Sequence, residues 1–157
     1  MQANSLEFFI ENARYTYRTF ALDGHHVVGT DIELRGEAIL RFLGEAKEVV
    51  ILAATLGTEV DKCISVAQSV SISEALHLDT LANEAIEHVC KQAQAEIATK
   101  HNITAKRFSP GFADFPLDIQ PKILSALETQ KRIGLYCNNG HLLIPMKSVT
   151  AFMGVLT

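Results

Sequence analysis

The chain has 157 residues, 48% hydrophobic and 20% charged, enough for a single core. A formal net charge of −4 and a pI near 5.8, without a Lys/Arg run, argue against a surface that tracks the phosphates of DNA or RNA. No apolar run approaches the roughly 20 residues of a membrane span, and Met1-Gln2-Ala3-Asn4-Ser5 is not the start of a secretory leader, so the cytoplasm is expected; Cys63, Cys90 and Cys137 are too few and too widely spaced for a disulfide framework or a C-x-x-C motif.

Rings and β-branched residues alternate in Tyr15-Thr16-Tyr17-Arg18-Thr19-Phe20, which predicts a strand closed by a turn at Asp23-Gly24. Gly36 to Gly44 reads as a short helix with a glycine at its C-terminal cap. The continuous apolar run Val49-Val50-Ile51-Leu52-Ala53-Ala54 predicts a central strand covered on both faces. Thr58 and Asp61 have capping-box spacing and open a helix in which Val60, Ile64 and Ala67 recur on one face. Ser71 with Glu74 opens a longer one, whose inner face is Leu78, Ala82, Ala85, Ile86, Val89, Ala93 and Ile97, to about Lys100.

Ile119 to Glu128 predicts a further helix with Ile123, Leu124 and Leu127 inward, and the remainder reads as β. Residues 133–137 and 141–144 flank Asn138-Asn139-Gly140, a hairpin signal because Asn and Gly accept positive φ. A bend at Pro145 precedes a terminal strand over 149–155. Without linker or repeat, the pattern predicts one α+β domain over 1–157 with a mainly antiparallel sheet and packed helices.

Between the last two helices lies Arg107-Phe108-Ser109-Pro110-Gly111-Phe112-Ala113-Asp114-Phe115-Pro116-Leu117, one cation and three rings around a Pro-Gly turn. Pro110 fixes φ and Gly111 tolerates positive φ, so the chain can turn sharply and present Arg107 and Phe112 together. A guanidinium matches a carboxylate and a ring covers a flat group, which suits a small ligand with an acidic and an aromatic end. The competing reading is a rigid turn with core rings and an Arg107 ion-paired to Asp114 or Asp118.

This loop, together with Ala53-Ala54-Thr55-Leu56-Gly57, Leu78-Asp79-Thr80-Leu81-Ala82 and Pro145-Met146-Lys147-Ser148-Val149-Thr150, resembles the activation domain of cobalamin-dependent methionine synthase, particularly its short, separately encoded forms. The resemblance runs from roughly Ile32 to the C-terminus, and the R-x-S-P-G-aromatic and P-x-K-S-V-T blocks are its most specific parts. It implies binding of S-adenosylmethionine and reductive remethylation of cob(II)alamin. The cobalamin would be carried by a separate methionine synthase chain, and the electron would come from a flavodoxin-like donor.

By that resemblance Arg107 would take the methionyl carboxylate, with Pro110, Gly111 and Phe112 shaping the site and Glu84 accepting from the ligand amino group. Lys147 and Ser148 would face the ligand or the corrinoid-bearing partner. Phe112 stands where the family has tyrosine, and Asn138-Asn139-Gly140 stands for its Thr-Glu-Ser. The terminal segments that supply an acidic residue and a tyrosine in the full-length enzyme have no counterpart here, so weak affinity or a site completed by a docked partner is expected. No catalytic side chain is implied. No histidine pair has the i, i+4 spacing of a helical metal site, and none is expected. Two other readings stay open: a structural module of the same fold that binds only protein, and an independent S-adenosylmethionine-dependent methyltransferase, for which Gly57 after an apolar strand is a slender fingerprint.

Overall fold

The computed structural model describes residues 5–156. At its centre is β3 (Glu48–Thr55), whose apolar run is buried throughout. β1 (Arg14–Asp23) and β6 (Ser148–Gly154) flank it antiparallel, with Tyr17 and Ala151 on either side of Leu52. β2 (His26–Val27) folds back on β1, so the sheet order is β2-β1-β3-β6 and every pairing is antiparallel.

Alternate side chains of a strand point to opposite faces, and a central run without polar residues therefore needs cover on both. Val49, Ile51 and Ala53, with Phe20 and Phe152, pack on a layer formed by α2 (Glu37–Leu43), α5 (Gln120–Leu127) and α6 (Thr129–Ile133). Val50 and Leu52, with Met153, pack against Ala93 and Ile97 of α4 (Ile72–Ala98). Ala54 joins Phe9 of α1 (Leu6–Glu11), Val60 and Ala67 of α3 (Thr58–Val70) and the first half of α4. The α+β architecture and the mainly antiparallel sheet follow the sequence pattern, and all seven residues read as the inner face of α4 are buried.

Local details depart from that pattern for identifiable reasons. Thr58 and Asp61 do not form a capping box: Gly57, at φ 87°, holds the cap position, and Asp61 Oδ2 instead accepts from the Met146 N–H at 2.9 Å. The cap at Ser71 does form, its Oγ accepting from the Glu74 N–H at 3.3 Å. Residues 129–133, read with the remainder as β, are instead the helix α6, and the buried Thr129 hydroxyl donates to the Leu135 carbonyl at 2.8 Å, tying its start to the residue beyond its end. The hairpin shrinks to β4 (Tyr136–Cys137) and β5 (Leu143–Ile144). Its turn is built around the Asn138 side chain, which accepts from the N–H groups of Gly140 and Leu142 at 2.9 and 3.1 Å, and positive φ falls on His141, not on Asn139 or Gly140. α1 is not predicted by the sequence pattern; Ser5 Oγ caps it by accepting from the Phe8 N–H at 3.1 Å.

Candidate functional site

The free edge of β6 is covered by residues 103–108, which run antiparallel to it. Thr104 N–H donates to the Gly154 carbonyl at 2.9 Å, and Phe108 and Phe152 exchange both backbone hydrogen bonds at 3.0 and 2.8 Å. Strand alternation then separates two neighbours. Phe108 enters the core beside α2 and α5, and Arg107 goes to the opposite face, against α4.

Beyond Phe108 the loop turns as its Pro-Gly sequence demands. Pro110 is buried, and Gly111 adopts φ 91° while its N–H donates to the Phe115 carbonyl at 2.8 Å. Two of the three loop rings, Phe108 and Phe115, are core, and Phe115 meets Phe152 edge-on at 5.4 Å. The third, Phe112, is 66% exposed and stands edge-on to Phe108 at 5.4 Å. A rigid aromatic stack thus runs from the buried sheet to one solvent-facing ring.

Asp114 anchors the loop to α2. Its carboxylate accepts from the N–H groups of Glu37 and Ala38 at 2.7 and 3.1 Å, serving as a helix cap that Gly36 cannot supply. Those two bonds hold the Asp114 carboxyl below its ordinary range. Gly36 has φ 115°, and a Cβ there would lie 2.7 Å from the Asp114 carbonyl oxygen, so close approach and backbone angle both require glycine. Asp118 is paired with Arg35, so neither acid named as an alternative partner of Arg107 takes that role.

Arg107 is held by α4 instead. Its Nη2 lies 2.7 Å from Glu87 Oε2 and its Nη1 donates to Gln94 Oε1; the arginine side chain is 17% exposed and that of Glu87 50%. Lys147 reaches the same helix one segment earlier, with Nζ 2.7 Å from Asp79 Oδ1 and 2.9 Å from Asn83 Oδ1. Asp79, Asn83, Glu87 and Gln94 fall within about 80° of one another around the helix, a polar stripe spanning about 22 Å. Both candidate cations therefore lie over one face of α4, approached from either end of β6. The four acceptors were not singled out in the sequence, where only the i, i+4 spacing of Asp79, Asn83 and Glu87 hints at them.

Glu84 is exposed on α4, and its side chain makes no hydrogen bond or ion pair with a described residue. Ser148 serves the sheet, its hydroxyl within donating reach of the Pro145 carbonyl at 2.6 Å and Thr55 Oγ1 at 2.7 Å. Cys90, buried in α4 near the Arg107–Glu87 pair, has its thiol pushed up to about 11 by burial, partly opposed by the Arg107 charge. Among the described residues no group of three or more His, Cys, Asp and Glu side chains is gathered as a metal ion would need, and no helix is long and apolar enough to cross a membrane.

The wholly antiparallel sheet, flanked by helices on both faces and carrying the loop on its β6 edge, is the fold of a methionine synthase reactivation domain. The chain is similar to the crystal structure of the MetH reactivation domain bound to AdoHcy, with a TM-score of 0.66 and 16% identity over 91% of this chain. It spans 58% of the length of that domain. No family model matches the sequence, and no curated protein matches it.

Proposed function

We propose that the chain is an accessory reactivation subunit that binds S-adenosylmethionine and presents it to a cobalamin-binding domain on a separate methionine synthase chain, with a flavodoxin-like protein as electron donor. The observation that carries this reading is the fold, shared with a domain that binds AdoHcy, on which the loop of residues 107–117 offers an exposed ring at Phe112; the partly accessible guanidinium of Arg107 lies not on the same side, as the turn led one to expect, but across the sheet edge against α4. The residues fit such a ligand. Arg107 uses one N–H on each of two nitrogens internally and retains further donors for a carboxylate. The Phe112 face is open for a flat ring, and Glu84 is an unengaged side-chain acceptor for an amino group, whereas the space beside Gly111 is taken by the Leu117 side chain.

When bound, S-adenosylmethionine supplies the methyl group, and the partner's cobalamin supplies the nucleophile. The chain contributes binding and orientation: its rigid aromatic stack fixes the height of Phe112 above the sheet, and Arg107 sets the end of the ligand that faces α4. Mixing the chain with a cob(II)alamin-loaded methionine synthase that lacks its own activation domain tests this. Absorbance should report methylcobalamin only when S-adenosylmethionine and a low-potential donor are both present, and no change in the complete mixture would refute the reading.

A second reading draws on the same geometry. Arg107, Lys147 and Ser148 are all satisfied within the chain, as in a module that keeps the fold and binds only a protein. Calorimetry with S-adenosylmethionine separates the two, since heat of binding to the isolated chain favours the first. An independent methyltransferase draws no support from a sheet without the parallel strands on which a Gly-rich turn would cradle such a cofactor.

A further inference from the structure

The Arg107–Glu87 pair has a consequence for how a ligand enters. Arg107 is the deeper partner, mostly enclosed and steadied by Gln94 of the part-buried face of α4. Glu87 is the shallower one, half exposed, and its Oε2 is the sole carboxylate oxygen in contact with the guanidinium among the described residues. A carboxylate 2.7 Å from Nη2 occupies the position and satisfies the charge that a ligand carboxylate would seek.

We infer that Glu87 is a displaceable internal occupant of the Arg107 site: a carboxylate-bearing ligand binds by taking its place, with Gln94 as the positioning residue that keeps the guanidinium aimed while Glu87 swings out. This rests on the reading of Arg107 as the ligand's cation, and it adds a residue that sets affinity by competition. Glu87 can leave at little cost because its carboxylate already borders water, where an ion is readily rehydrated. Arg107 is less free to follow, since its enclosed stem and second contact hold it to the helix.

Competition has a distinctive signature. In the native chain the exchange breaks one ion pair and makes one, so added salt should change affinity for AdoHcy little. In Glu87→Gln the guanidinium starts without a carboxylate, so affinity should rise by about fivefold and then fall as salt is added. Glu87→Ala, which removes the same charge by a different route, should move in the same direction. Calorimetry on the three full chains reads all of this. Given measurable AdoHcy binding to the native chain, weaker or unchanged binding in both variants would overturn the inference and make Glu87 a mere support.

An acetate titration, followed through the Arg107 guanidinium nitrogen resonances, keeps this inference distinct from the S-adenosyl reading. Saturation at several-fold lower acetate in Glu87→Gln than in the native chain upholds displacement even if AdoHcy binds neither protein, an outcome that would defeat only the S-adenosyl reading. Equal response to acetate defeats displacement even if AdoHcy binds both.

Discussion

Phe108 and Phe152 exchange backbone hydrogen bonds in both directions at 3.0 and 2.8 Å, which makes the candidate loop a continuation of the sheet. The same pairing assigns the two residues before the turn to opposite faces. Phe108 seals the core and Arg107 meets α4, so a core residue and the proposed ligand cation occupy adjacent positions.

Truncating the two rings of the stack should therefore give opposite results. Phe108→Ala removes a buried ring touching Phe42, Phe112 and Phe115 and should destabilise the fold by about 3–5 kcal/mol in urea unfolding. Phe112→Ala removes an exposed ring and should stay within about 0.5 kcal/mol, while AdoHcy binding is lost. Phe112→Tyr should fold normally, because its added hydroxyl meets solvent. If Phe112→Ala unfolds the protein as readily as Phe108→Ala, the ring is packing and not a platform.

Arg107→Ala tests the cation. Glu87 is half exposed and tolerates the loss of its partner, so the stability cost should be about 1 kcal/mol or less. Ligand binding should weaken by about 1.5–3 kcal/mol, the worth of a hydrogen bond to a charged group. Thermal melts and calorimetry on one preparation check both halves, and a large fall in melting temperature with unchanged affinity would assign Arg107 to structure.

The carboxylate that caps α2 from the loop should leave a mark on acid stability. Asp114 is held below its usual 3.8 by the Ala38 and Glu37 N–H groups, so the native state binds its proton less readily than the unfolded chain. Its contribution is complete above the usual value and is lost as the pH falls through the lower native one. In Asp114→Asn, which keeps an acceptor but cannot titrate, the melting temperature should fall less steeply than in the native chain from about pH 5 downward. Parallel curves would show that the cap is not made in solution.

Gly36 and Gly29 separate backbone strain from close approach. Both have positive φ, at 115° and 87°, but a Cβ on Gly29 meets open space and one on Gly36 meets the Asp114 carbonyl at 2.7 Å. Gly29→Ala should cost about 1–2 kcal/mol of strain, and Gly36→Ala about 2 kcal/mol more because the loop must move. Denaturant unfolding of both variants measures the difference. Equal costs would mean that α2 and the loop are not in contact as described.

The sequence by itself determined what depends on near neighbours. The run Val49–Ala54 marked a doubly covered strand because it holds no polar residue on either alternating face, and the spacing from Leu78 to Ile97 marked the inner face of α4. Ser71 named its own cap, and Pro110-Gly111 named its own turn. Tertiary structure decided what depends on distant partners. The cap of α2 comes from Asp114, 77 residues after Glu37, and Asp61 spends its carboxylate on Met146 instead of its own helix end. The partners of Arg107 and Lys147 became visible only when the edge of β6 laid both cations along α4, because an ion pair is chosen by position in space and leaves no fixed spacing in the chain.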